Sequence, residues 1–140
     1  MFSKEESRKL REEFWIAFGK SYPRKWILYK TGVKGLSLKF YFDVKKAQVA
    51  LDMEGNLEQR IRLWEKLVSL KTILEEYVPD ANFEEYYLLA NGKEISRIFV
   101  EKQQVSIHDK NTWQETMVFL SSQMHKVEVF FREYADSIRV

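Results

Sequence analysis

The chain has 140 residues, no cysteine, 45% apolar and 15% aromatic content and a formal net charge of +2, which suits one compact domain over 1–140 and excludes disulfides, thiolate nucleophiles and cysteine-bound zinc. The opening MFSKEESRKLREEF is charged, and no run approaches the ~20 apolar residues of a membrane span, so no membrane partner and a cytoplasmic location are expected. Charge is unevenly spread: residues 20–50 carry eight bases against the single acid Asp43, a local net of +7 that leaves −5 elsewhere, and residues 72–92 hold five acids and no base.

Ser3 followed by Glu6 has the form of a capping box, and Leu10, Phe14, Ala17 and Phe18 recur at helical spacing, predicting a helix over 3–18 that Gly19 ends. Beyond Pro23, KWILYKT (25–31) reads as a short strand, rich in β-branched and aromatic residues and closed by the loop Gly32 to Gly35. Leu36, Leu38, Phe40 and Phe42 then alternate with Ser37, Lys39 and Tyr41. A return strand turns Ala47, Val49, Leu51 and Met53 to the same side, giving a hairpin with one buried face.

Asn56 and Gln59 suit the cap of a helix running to about Val78, before Pro79. Its apolar residues, Ile61, Leu63, Trp64, Leu67, Val68, Leu70, Leu74 and Tyr77, cover more than half the circumference, so it must touch two neighbours. NFEEYYLL and EISRIFV flank Asn91-Gly92, a pair suited to a type I′ turn, and predict a second hairpin. Thr112 with Glu115 makes another capping box, opening a helix of about 26 residues, or ~39 Å. Along it Trp113, Met117, Leu120, Met124, Val127, Phe131, Tyr134 and Ile138 form a heptad seam. Core packing against another helix is the expected meaning, with a dimeric coiled coil as the alternative. The order α-β-β-β-α-β-β-α predicts an α+β domain: a mostly antiparallel five-stranded sheet covered by helices, with a long C-terminal helix.

REEFWIAFG, WILYKTGVKGLSLKFYFD, GKEISRIFV and NTWQE ahead of a long aromatic helix resemble the bacterial family known as domain of unknown function 4268, and the likeness covers nearly the whole chain. It implies a small cytoplasmic bacterial protein of unassigned activity. It also implies a looser kinship with the PD-(D/E)xK nucleases, whose core order α-β-β-β-α-β is similar to the first six elements. Those enzymes hold Mg²⁺ with an acid on the second core strand and an acid-x-Lys on the third. Here the third strand reads Asp52-Met53-Glu54, with Glu54 in the place of the lysine.

Geometry weighs against that site. Placing Phe42 opposite Ala47 pairs Lys39 with Ala50 and Ser37 with Asp52, and leaves Asp43 about six residues away, ~20 Å at 3.3 Å per residue, too far to share a metal. A third carboxylate would have to come from the first helix, from Glu12 or its neighbours Glu6 and Glu13. No catalytic centre, metal or cofactor is therefore expected, with Asp52 and Glu54 as solvated strand residues in charge pairs such as Lys39 with Asp52. A weak Mg²⁺ nuclease on Asp52, Glu54 and Glu12 is the alternative. His108 and His125 stand 17 residues apart without an HExxH pattern, and no phosphate-cradling glycine run or GxSxG occurs.

Lys25, Lys30, Lys34, Lys39, Lys45 and Lys46 interleave with Tyr22, Trp26, Tyr29 and Tyr41. They form either a weak, salt-sensitive nucleic-acid surface or a lysine-rich face that keeps an edge hairpin soluble. Phe119 and Phe130 fall off the heptad seam, with Val118 and Val129 extending apolar character further around, which predicts a homodimer. The functional expectation is a noncatalytic binding or assembly domain.

Overall fold

A computed structural model describes residues 2–139. Helix α1 (Lys4–Ser21) is followed by strands β1 (Leu36–Phe42) and β2 (Lys46–Met53), helices α2 (Leu57–Ser69) and α3 (Lys71–Tyr77), strands β3 (Asn82–Leu88) and β4 (Glu94–Gln103), and the long helix α4 (Trp113–Arg139). The sheet is antiparallel throughout, in the order β1-β2-β4-β3. The buried residues of the helices form one core with Leu36, Leu38, Phe42, Val49, Leu51, Met53, Ile98 and Val100, which share one face of the sheet. The domain is thus two layers, helices on one side and a sheet face without helices on the other. Among the described residues no helix is long and apolar enough to cross a membrane.

The first cap is as expected: Ser3 Oγ accepts from the Glu6 amide at 3.1 Å and Glu6 Oε1 from the Ser3 amide at 3.0 Å. Gly19 does not end α1, which runs on to Ser21; a Cβ there would meet nothing within 4 Å, so the glycine sits on an open face. Asn56 caps α2, accepting from the Gln59 amide at 2.8 Å. The expected single helix to Val78 divides at Leu70, with φ −99° and ψ 11°. Just before the break the Ser69 hydroxyl donates to the Lys66 carbonyl, a local bond that competes with helix continuation.

Residues 25–31 are not a strand, so the sheet has four strands and not five. The Ile27 amide donates to the carboxylate of Glu128 at 2.6 Å, Lys30 closes a turn onto Ile27, and Leu28 takes φ 47°. One backbone-to-backbone bond reaches the sheet, from the Leu38 amide to the Leu28 carbonyl. The apolar composition of this segment reflects burial: Trp26, Ile27 and Leu28 pack on the core.

The second hairpin forms, but through a different turn. Gly92 has φ 87° while Asn91 does not adopt positive φ. The Gly92 amide bonds to Leu89 O and the Leu89 amide to Lys93 O, a three-residue loop with glycine in the left-handed region, not type I′. Thr112 is likewise no helix cap. A 3-10 turn over Lys110–Thr112, capped by Asp109, leads into α4, and Glu115 pairs with Lys102 instead. The heptad seam serves the chain's own core, seven of its eight residues being buried and Tyr134 partly so.

Candidate functional site

The sheet face turned away from the helices carries Ser37, Lys39 and Tyr41 of β1, Gln48, Ala50 and Asp52 of β2, and Arg97, Phe99 and Glu101 of β4. The register sets Asp52 beside Arg97 and Gln48 beside Glu101. The Arg97 guanidinium donates to both Asp52 oxygens at 2.7 and 2.8 Å and to Gln48 Oε1 at 2.9 Å. The Tyr87 ring lies 4.5 Å from the guanidinium carbon. Lys39 Nζ stands 3.5 Å from Asp52 and 3.4 Å from Glu54, whose other oxygen accepts from Lys93 at 2.7 Å. The Lys93 hydrogen bond and the charge of Lys39 outweigh partial burial and hold the Glu54 carboxyl below its usual range. Burial opposes the charge on Lys39, but Asp52 and Glu54 more than reverse that and raise its pKa.

This arrangement commits Asp52 and Glu54, two of the ligands in the alternative nuclease reading, to cations. Asp52 is fully buried, not a solvated strand residue; both its oxygens are bound by Arg97, with the expected Lys39 pair as an addition. Asp43 lies at the far end of the hairpin, accepting from the Lys45 and Lys46 amides and from the Tyr41 hydroxyl. Glu12 is on α1, across the sheet from this face, exposed and paired with Arg8 at 2.9 Å. Among the described residues no three His, Cys, Asp or Glu side chains are arranged to hold a metal. With 25–31 outside the sheet, the order opens α-β-β-α, so the six-element core expected from nuclease kinship is not formed. His108 touches Ser7 Oγ at 2.8 Å, and His125 is exposed beside Arg24.

The lysines do not form one surface. Lys39 and Lys46 are paired on the sheet face, with Asp52 and Glu54 and with Glu101. Lys25, Lys30, Lys34 and Lys45 are exposed and make no ion pair among the described residues. Lys34 and Lys45 lie at opposite ends of the first hairpin. Tyr41 donates to Asp43 at 2.7 Å, and burial together with this bond pushes its phenol up to about 12.

Phe130 is fully buried, stacked on Tyr134 at 5.4 Å and edge-on to Tyr77 at 5.8 Å, and Phe119 packs partly buried on the core. Neither is surplus surface: Tyr77 of α3 covers Phe130, and Phe119 lies against the chain's own core. Exposed apolar side chains gather elsewhere, at Leu57, Ile61 and Val68 of α2 and Tyr86 and Leu88 of β3. Arg60 fastens α2 to the start of β4 beside them: it donates to the Glu94 carbonyl at 2.9 Å and carboxylate at 2.7 Å, and Glu94 is the register partner of Leu88. One turn on, Trp64 meets Phe83 of β3 with ring centroids 6.3 Å apart. The sequence suggested that two neighbours would cover the apolar residues of α2, whereas Ile61 and Val68 stay exposed. The β3 half was hidden because a bulge between Glu84 and Tyr87 shifts the alternation.

No curated protein and no solved structure matches the chain. A family model described as Domain of unknown function (DUF4268) matches residues 10–135, a span that takes in the whole sheet, α2 and most of α1 and α4, and the chain belongs to that family.

Proposed function

We propose that the chain is a noncatalytic assembly domain that forms a homodimer through the strip shared by α2 and β3. The observation that carries this reading is the exposure of Leu57, Ile61, Val68, Tyr86 and Leu88, between 38% and 69% of each, around the Arg60–Glu94 clamp. At roughly 200 Å² for a large side chain the strip offers about 500 Å² of apolar surface, near the upper end for a monomer. With a polar rim it approaches the ~800 Å² per partner of a standard interface.

A second copy is the occupant that the strip's chemistry favours. The charged pair at its centre is matched within the chain, Arg60 with Glu94, so the apolar side chains around it can meet their own copies across a two-fold axis. Leu57, Ile61, Trp64 and Val68 recur at spacings of four, three and four, a short seam about 16 Å long that suits antiparallel packing on the same helix of the partner.

Light scattering at micromolar concentration is expected to give a dimer mass, and Ile61→Asp with Leu88→Asp a folded monomer. A monomer mass for the parent protein would overturn the proposal, and a dimer indifferent to both substitutions would overturn the choice of surface. The commitment of Asp52 and Glu54 to cations supports the noncatalytic half. Incubation with Mg²⁺ or Mn²⁺ is expected to leave nucleic acid uncut; cleavage abolished by Asp52→Asn and by Glu54→Gln would overturn it.

A further inference from the structure

A cavity of about 300 Å³ lies where the loop after Thr31, α2 and the end of α4 meet, with Lys34, Arg62, Lys66 and Arg139 around it and Leu63 and Ile138 among its lining. Three separate elements thus bring four cations to one concavity. Their carriers are held in place. The Arg139 guanidinium donates to the Thr31 carbonyl at 3.1 Å, and it lies against Gly32, where a Cβ would come within 3.2 Å of it and φ is +73°. The Thr31 hydroxyl, itself buried, ties the loop by accepting from the Val33 amide and lying 2.9 Å from the Leu36 carbonyl. Gln59 fastens the same loop to α2 through the Lys34 carbonyl at 3.1 Å. Lys66 is steadied by the Ile138 carbonyl at 3.4 Å.

Among the described residues the cations outnumber their counterions. Arg62 pairs with Glu58 at 3.0 Å and Arg139 with Asp136 at 3.4 Å, and both acids are almost fully open to water, where such pairs are weak and readily exchanged. Lys34 and Lys66 have no acidic partner among the described residues. Apolar walls behind the charges lower the local dielectric and focus the field into the cavity. Two guanidinium forks and two ammonium groups form a donor set matched to phosphoryl oxygens.

We propose that this pocket binds a small molecule through a polyphosphate group. At about 300 Å³ the cavity is at the lower limit of ligand sites, so it takes the phosphates and leaves the rest of the molecule outside. The site is separate from the α2–β3 strip: Gln59, Arg62, Leu63 and Lys66 face it from another side of α2.

Isothermal titration at near-physiological salt with tripolyphosphate, pyrophosphate and ATP is expected to show saturable binding, at least tenfold tighter than inorganic phosphate or sulfate. Arg62→Gln with Lys66→Gln should weaken it more than tenfold, and Arg139→Gln should weaken it too. Lys25→Gln with Lys45→Gln, which alters the net charge equally but lies outside the pocket, should leave it unchanged. Absence of binding by all three polyphosphates overturns the proposal, as does an equal loss in the Lys25/Lys45 variant. Tighter binding of a 5′-phosphorylated oligonucleotide than of tripolyphosphate overturns the small-molecule assignment. Because Arg139 also braces the loop, a thermal melt of its variant accompanies the titration; if that variant is unfolded, binding by the Arg62/Lys66 variant decides between a tenfold loss, as proposed, and no loss, which overturns the pocket.

Discussion

Arg97 and Asp52 show what one residue can hide from sequence reading. Alternation placed Asp52 on the correct face and the hairpin register placed it opposite Ser37. Its burial, however, depends on which strand flanks β2 on the other side, and that strand, β4, arrives after two helices. Removing one member of such a pair leaves an uncompensated charge in a dry site, so Arg97→Met is expected to lower stability by ~3–5 kcal/mol in urea unfolding. Asp52→Leu added to Arg97→Met should recover part of that loss; a double variant less stable than the single would show that the pair is not the source. Glu54 responds to pH. Its folded carboxyl titrates below its usual range, so the stability it contributes is complete above the ordinary glutamate range and is lost as pH falls through the folded value. The stability gap between the parent protein and Glu54→Gln, measured at pH 7, should therefore narrow in acid. A gap constant down to strong acid would mean that the Lys39 and Lys93 pairs contribute nothing.

At the scale of elements, hairpins and capped helices were legible because their determinants are local: Ser3 with Glu6, Asn56 with Gln59, and the strict alternation from Leu36 to Phe42. The segment from Lys25 to Thr31 is not the expected strand because its determinant is remote. Glu128, buried on α4, binds Arg24 with one oxygen and the Ile27 amide with the other, replacing the ladder that β-rich composition suggested. The segment thus lies along the outer edge of β1 and shields one end of the sheet from edge pairing, while β3 at the other end keeps an open edge. Glu128→Ala would leave the Ile27 amide without its acceptor, at a cost of ~2 kcal/mol. Amide exchange should accelerate over residues 24–38 and stay slow in β2 and β4. Uniform acceleration across the sheet would mean that Glu128 supports the whole core and not this one segment.

For the molecule as a whole, the uneven charge of the sequence becomes a spatial polarity. Exposed Lys25, Lys30 and Lys34 lie on the β1 side, whereas Glu75, Glu76, Asp80, Glu84 and Glu85 stand on or beside α3 and β3, with no base between residues 72 and 92. Set face to face, these two regions would attract and orient a dimer. A two-fold axis on the α2–β3 strip does the opposite, because it brings the acidic stretches of both copies towards the same seam, and like charges there oppose association. Salt screens that repulsion beyond about 10 Å at 0.1 M. Dimerisation followed by sedimentation equilibrium is therefore expected to tighten as NaCl rises from 50 to about 500 mM. Nucleic acid attracted by the exposed lysines would instead dissociate over the same range, through counterion release. A dimer that loosens with salt would mean that the basic side of one copy meets the acidic side of the next. Such a contact is heterologous, leaves an unpaired surface at each end and predicts growth beyond two copies, so the mass distribution at low salt separates the two geometries independently of affinity.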